Sequence, residues 1–229
     1  MIKQPTKPLD LSNYDYWNQA EYKIKRDYFS HIVYCQILKN DSFNAVASNN
    51  TNNWVTHHLN SCYPQHDPAV HHGRYGTGKM IWHQINKINN ISTQIMSERK
   101  DFGMQNGMTI AIRDRLDQNR AWFTLGGQLT ESEILEIYFD KNIDQYFLDL
   151  HTAFIKNMLL KTTNYDEVTC MLIALSDYEP SLEKIAEKVG LSLREVEKIY
   201  TDLFRTNLAK LRGLSYEVEN SADFAVPSH

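Results

Sequence analysis

With 229 residues, 42% of them hydrophobic, the chain can bury a substantial core, which excludes wholesale disorder. Its 24 basic and 28 acidic residues leave a net charge of −4, which excludes a polybasic nucleic-acid coat but permits a local DNA-reading element. No apolar run is long enough to span a bilayer, so no membrane association is expected.

The segment Met1-Ile-Lys-Gln-Pro-Thr-Lys-Pro8 lacks the apolar stretch of a secretory leader. Cys35, Cys62 and Cys170 are scattered and form neither a disulfide framework nor a zinc spacing. Both features point to a reducing cytoplasm.

In chain order, strand-like runs fall at Ser30–Leu38 and Ser42–Ala47, then at Gly107–Arg113 and Arg120–Leu125. The last two flank a polar turn, Asp114–Asn119, and read as a hairpin. Between the pairs lies a helical and loop-rich insert, residues 50–102, entered through the Asn-rich patch Asn49–Asn53. Thr130 and Glu133 have capping-box spacing. They open a single long helix whose apolar face is Ile134, Leu135, Tyr138, Phe139, Tyr146, Phe147, Leu150 and Phe154. The expected fold class is α/β, an α-β-α sandwich with a central antiparallel sheet over residues 1–160.

Residues 161–165 read as a linker, and 166–229 as a small all-α unit with a C-terminal tail. Val168, Met171, Leu172 and Leu175 mark one helical stripe, and Leu182, Ile185, Ala186 and Val189 a second, closed by Gly190. Ser192 and Glu195 form another capping box, opening a helix with Val196, Ile199, Tyr200 and Leu203 inward. Two short helices joined by a tight turn are the helix-turn-helix pattern.

The motifs of the insert resemble those of LuxR-type quorum-sensing transcription factors, from about Asp27 to Gly127. They read Trp54-Val-Thr-His-His58, Tyr63-Pro-Gln-His-Asp67-Pro68, Trp82, and Phe102-Gly-Met-Gln-Asn-Gly107-Met-Thr109. Trp54, Asp67 and Trp82 stand at the family's pocket separations, and Ala121-Trp-Phe-Thr124-Leu matches its ligand-facing strand. Three positions depart from the family: Asn50 and His58 stand where tyrosines are usual, and Ala111 replaces a proline.

The resemblance implies a homodimeric, ligand-regulated transcription factor that binds an acyl-homoserine lactone and a palindromic double-stranded operator, with no cofactor. In that reading Trp54 donates its indole N–H to the lactone carbonyl, and Asp67 accepts from the amide N–H. Thr124, with His58 or Asn50, would bind the acyl carbonyl. Trp82 would pack on the ring, and Tyr63, Phe102 and Trp122 would complete an apolar wall. Removing the Asp67 carboxylate should then abolish the response and spare the fold.

From Asp166 to Leu214 there are seven basic and nine acidic residues, a poor start for phosphate binding. Ser192–Arg212, however, holds five basic against three acidic residues. Arg194 and Lys198 lie one turn apart where base edges are usually read. Ser192, Glu195 and Arg205 complete the expected DNA-facing set.

Two other readings come from different function classes. One is a fold relative controlled by a protein partner, or active without ligand. The other is a metal-dependent hydrolase built on His57, His58, His66, His71, His72, His83 and Asp67. The adjacent histidine pairs must point apart, which disfavours a metal frame. No nucleophile elbow or cysteine–histidine arrangement appears, so no catalytic or metal-ligating residues are assigned.

Overall fold

The computed structural model describes residues 24, 29–37, 43–47, 51–84, 90–113, 120–176, 178–179, 181–203 and 205. The chain divides into two compact units, Met1–Phe154 and Ile155–His229.

In the first unit the strands are β1 (His31–Ile37), β2 (Phe43–Ala47), β3 (Gly78–Ile81), β4 (Asn106–Arg113) and β5 (Arg120–Gly127). Helices α1 (Asn52–Asn60), α2 (Pro68–Tyr75) and α3 (Asn90–Asp101) lie between β2 and β4 in the sequence. Helix α4 (Glu131–Phe139) follows β5, and α5 (Lys141–Thr162) begins in this unit and ends in the second. The strands form one sheet in the order β2-β1-β5-β4-β3, with antiparallel pairing throughout.

Cross-strand register sorts the residues onto two faces. Phe123 pairs with Tyr34 and Ile110, and Leu125 with Ile32 and Met108. These face α5, where the Phe123 and Phe147 rings lie 4.8 Å apart and Tyr34 Oη meets His151 Nδ1 at 2.8 Å. Trp122, Thr124 and Gly126 point the opposite way, alongside Ala111, Thr109 and Gly107 of β4. There α2 crosses the sheet: a Cβ on Gly73 would fall 2.4 Å from the Trp122 ring, so only glycine admits this approach.

The expected strands appear within a residue or two of their expected bounds, and β4 pairs with β5 from Asn106–Gly127 to Arg113–Arg120. The turn 114–119 lies outside the described residues. Two expectations for the first unit need correction. The insert carries an unforeseen strand, β3, which adds to the sheet edge through Met80–Thr109 and Ile81–Met108 pairing.

The single long helix is also two helices. Asp140 leaves helical geometry at ψ 115° and its carboxylate accepts from Asn142 N at 2.8 Å, ending α4 and capping the start of α5. The break turns Phe139 outward, 72% exposed, so it does not belong to the buried face. The Thr130–Glu133 capping box is present in both directions.

In the second unit, α6 (Glu167–Ser176), α7 (Leu182–Val189) and α8 (residues 193–203) enclose Leu172, Leu175, Ile185, Ala186 and Val196. Asp166 accepts from Thr169 N and Ser181 from Lys184 N, capping α6 and α7. Gly190 takes the left-handed conformation, φ 70°, that ends α7. Ser192 and Glu195 cap α8 reciprocally. Val168, expected inside, is 39% exposed; Thr169 and Cys170 are buried instead. The helix α5 continues to Thr162, so the expected linker 161–165 begins within its last turn.

Candidate ligand-binding site

The site lies on the sheet face that carries Trp122 and Thr124. Trp82 sits in a 3-10 turn, Trp82–Gln84, directly after β3. A Cβ on Gly107 would approach its ring to 2.5 Å, and one on Gly126 to 2.9 Å, so both strands are stripped of side chain where the indole lies. Trp82 Nε1 donates to the buried Thr109 Oγ1 at 3.1 Å, which fixes the ring plane.

Around Trp82 the core comprises Trp54, Tyr63, Ala69, Ile95 and Met104, with Met80, Met96 and Phe102 packed against it. Trp54 meets the edge of Phe102 at 5.3 Å. The expected Trp54, Tyr63, Trp82 and Phe102 thus share one core. Trp122 lies on the same sheet face, beneath Gly73, and Thr124 is the cross-strand neighbour of Thr109. Asn50 lies outside the described residues.

Asp67 is buried at the centre. Its Oδ1 accepts from Ala69 N at 2.8 Å, so the Asp67-Pro68 pair caps α2. Its Oδ2 accepts from His58 Nε2 at 2.8 Å and from Arg99 Nη2 at 2.5 Å. Burial alone would raise the carboxyl pKa. Arg99, the His58 hydrogen bond and the α2 amide outweigh it and hold the group down at about 2. Asp67 is therefore ionised at neutral pH.

Arg99 is the residue that sequence reasoning missed. It is 1% exposed, and its guanidinium lies 4.1 Å from the Trp82 ring centroid and 5.6 Å from that of Trp54. Both distances are in cation–π range. The face of Trp82 expected to meet a ligand ring is thus covered by this cation. A signal for Arg99 existed in the sequence: Ser92, Ile95 and Arg99 recur at helical spacing and are the buried residues of α3.

A second polar cluster lies beside the first. Glu98 accepts from His57 Nε2 at 2.7 Å, from Gln94 Nε2 at 2.6 Å and from Tyr63 Oη at 3.0 Å. These bonds, that of His57 foremost, hold the Glu98 carboxyl below the usual range. The Tyr63 hydroxyl is pushed up by desolvation and by the Glu98 carboxylate.

The histidines are divided among separate tasks. His57 serves Glu98, His58 serves Asp67, and His72 donates from Nε2 to Gly78 O at 3.0 Å. Among the described residues no three His, Cys, Asp or Glu side chains are placed to hold a metal ion. Cys35 is buried, and desolvation, only partly offset by Arg74, pushes its thiol up to about 12. Such a thiol is inert as a nucleophile.

In the second unit Arg194, Lys198 and Arg205 are exposed, four and seven residues apart on one side of the helical path. Ser192 and Glu195 are exposed as well, but their side chains hold each other at 2.7 Å in the α8 cap. No described helix is long and apolar enough to cross a membrane.

No curated protein matches this chain. Among solved structures, the N-acylhomoserine lactone dependent LuxR family transcription factor CepR2 from Burkholderia cenocepacia is 18% identical. It covers 58% of this chain and 78% of its own, with a TM-score of 0.45. SdiA from Escherichia coli is 12% identical over 80% of this chain and 79% of its own, TM-score 0.46. SdiA in complex with octanoyl-rac-glycerol is 10% identical over 80% and 78%, TM-score 0.44. The family described as autoinducer binding domain matches residues 13–138, more than half of the chain, and the chain belongs to that family.

Proposed function

We propose that this chain is a ligand-regulated transcription factor. Its first unit senses a small acylated signal, the class to which acyl-homoserine lactones belong, and its second unit binds double-stranded DNA as a homodimer. The observation that carries the reading is the convergence of Trp54, Asp67 and Trp82 on one buried centre inside the family-matched segment. Such a centre combines apolar wall with a few fixed polar groups, the composition of a small-molecule site.

The α7–Gly190–α8 arrangement supports a helix-turn-helix, with Arg194, Lys198 and Arg205 on its exposed side. The unit is poor in net positive charge, so pairing two copies on a palindrome would supply affinity that one copy lacks. Domains are proposed at 1–160 and 166–229, joined by 161–165.

The test is selection of binding sites from random duplex DNA by the full chain, followed by gel-shift titration. A palindromic site is expected. Arg194→Ala or Lys198→Ala should weaken it by ~1–3 kcal/mol if a base contact is lost, or flatten the salt slope by about one unit if a phosphate contact is lost. Absence of any enriched site would overturn the DNA-binding reading in favour of control through a protein partner.

A further inference from the structure

We infer that the signal of this site is an acid: an acylated molecule that presents a carboxylate to Arg99. The inference rests on the small-acylated-signal reading above and names the chemistry of its head group.

A guanidinium carries five N–H donors in a rigid planar fork. Arg99 gives Nη2 to Asp67, but its Nε and Nη1 are buried and have no hydrogen-bond partner among the described residues. The residue is 1% exposed, so bulk water does not serve these donors. Buried donors left unmet are costly and rare in folded proteins. Here they lie between Trp82 and Trp54, the two residues at the heart of the candidate site.

Asp67 tells the complementary story. Its carboxylate already accepts from His58, Arg99 and Ala69, so three of its roughly four acceptor positions are filled. The unmet capacity at this centre is therefore for acceptors on the ligand, much more than for donors. A neutral lactone offers single carbonyl oxygens. A carboxylate offers two charged oxygens in one plane, which match a guanidinium in shape and bind it through charge-assisted bonds. Nη2 of Arg99 already meets the Asp67 carboxylate, so a ligand carboxylate would be held by the remaining guanidinium donors. Trp54, Ile95, Phe102 and Met104 supply apolar surface for the tail.

The experiment compares each N-acyl-homoserine lactone, over a range of tail lengths, with its ring-opened N-acyl-homoserine acid. The two probes share tail and amide and differ in the head group alone. Calorimetric titration and thermal unfolding of the full chain are the readouts. We expect the acid of the best tail length to bind about ten-fold tighter than its lactone, or more, and to raise the melting temperature further. Arg99→Gln should abolish that preference. If Arg99→Gln does not fold, Arg99→Lys, which keeps a charge for Asp67 but loses the planar fork, should reduce it. A lactone that binds as well as its acid overturns the inference and leaves the acylated-signal reading standing, as does a preference that survives either folded variant. If neither probe binds at any tail length, the acylated-signal reading falls and the inference falls with it.

Discussion

On the face toward α5, strands β1, β4 and β5 present Ile32, Tyr34, Met108, Ile110, Phe123 and Leu125, and Phe147 closes over them. On the opposite face β4 and β5 present Thr109, Thr124, Gly107 and Gly126 beside Trp122, with Arg113 and Arg120 bonded to carbonyls at the end of α2. The first face is held by volume. The second is held by an ion pair, two indoles and the glycines that make room for them. A sheet can thus give one side to stability and keep the other for chemistry. The two sides should respond differently to the same kind of injury.

The largest effect is expected at Asp67. Removing one partner of a buried ion pair leaves the other charge uncompensated, at a typical cost of 3–5 kcal/mol, about half the stability of a small domain. Asp67→Ala should therefore lower stability in urea titration by roughly that amount. The sequence alone suggests a variant that keeps its fold; the Arg99 contact argues against it.

The effect also carries a pH signature. The folded pKa of Asp67 is depressed to about 2 from 3.8, so its contribution is complete above pH 3.8 and is lost as pH falls toward 2. Asp67→Asn should be destabilised at neutral pH and should converge on the wild type in that acid window. Equal pH slopes there for both proteins would show that the ion pair does not hold this face.

A middle-sized effect is expected at Gly107. A Cβ there meets the Trp82 ring and the Leu125 carbonyl, so Gly107→Ala forces the indole or the strand to move, costing ~1–3 kcal/mol. Trp82 fluorescence should shift in parallel. A variant with unchanged stability and emission would mean that the ring is free to yield.

The smallest effect is expected at Tyr34, on the apolar face. Tyr34→Phe removes the bond to His151 and keeps the ring stacked on Phe154, so a loss of ~1 kcal/mol is expected. It should be indifferent to acylated ligands. A change in ligand affinity there would break the division between the faces.

Much of the architecture was legible in the sequence because periodicity of two and turn residues mark strands that bury one face. Strand β3 was not, since four residues give almost no periodic signal and it pairs with β4 alone. The break at Asp140 was hidden because apolar residues recur at helical spacing on both sides of it. The extended backbone of Asp140 and its carboxylate, which accepts from Asn142 N, separate the two helices.

Spacing singled out Trp54, Asp67 and Trp82, which the structure gathers around Arg99. Arg99 itself was not singled out, because an arginine in a helix reads as a solvent-facing residue until a partner is known, and Asp67 lies 32 residues away in the sequence. The capping role that the sequence offered for Asp67 is carried by Oδ1, while Oδ2 holds Arg99 and His58.

Of the three thiols, Cys35 and Cys170 are buried, whereas Cys62 is exposed. It stands in a left-handed conformation, φ 57°, one residue before Tyr63. A maleimide dye added to the native protein should therefore attach at one position, next in sequence to Tyr63, whose hydroxyl meets Glu98. The wild-type sequence supplies its own attachment point for an environment-sensitive fluorophore, and occupancy of the site could be followed optically without engineering a residue.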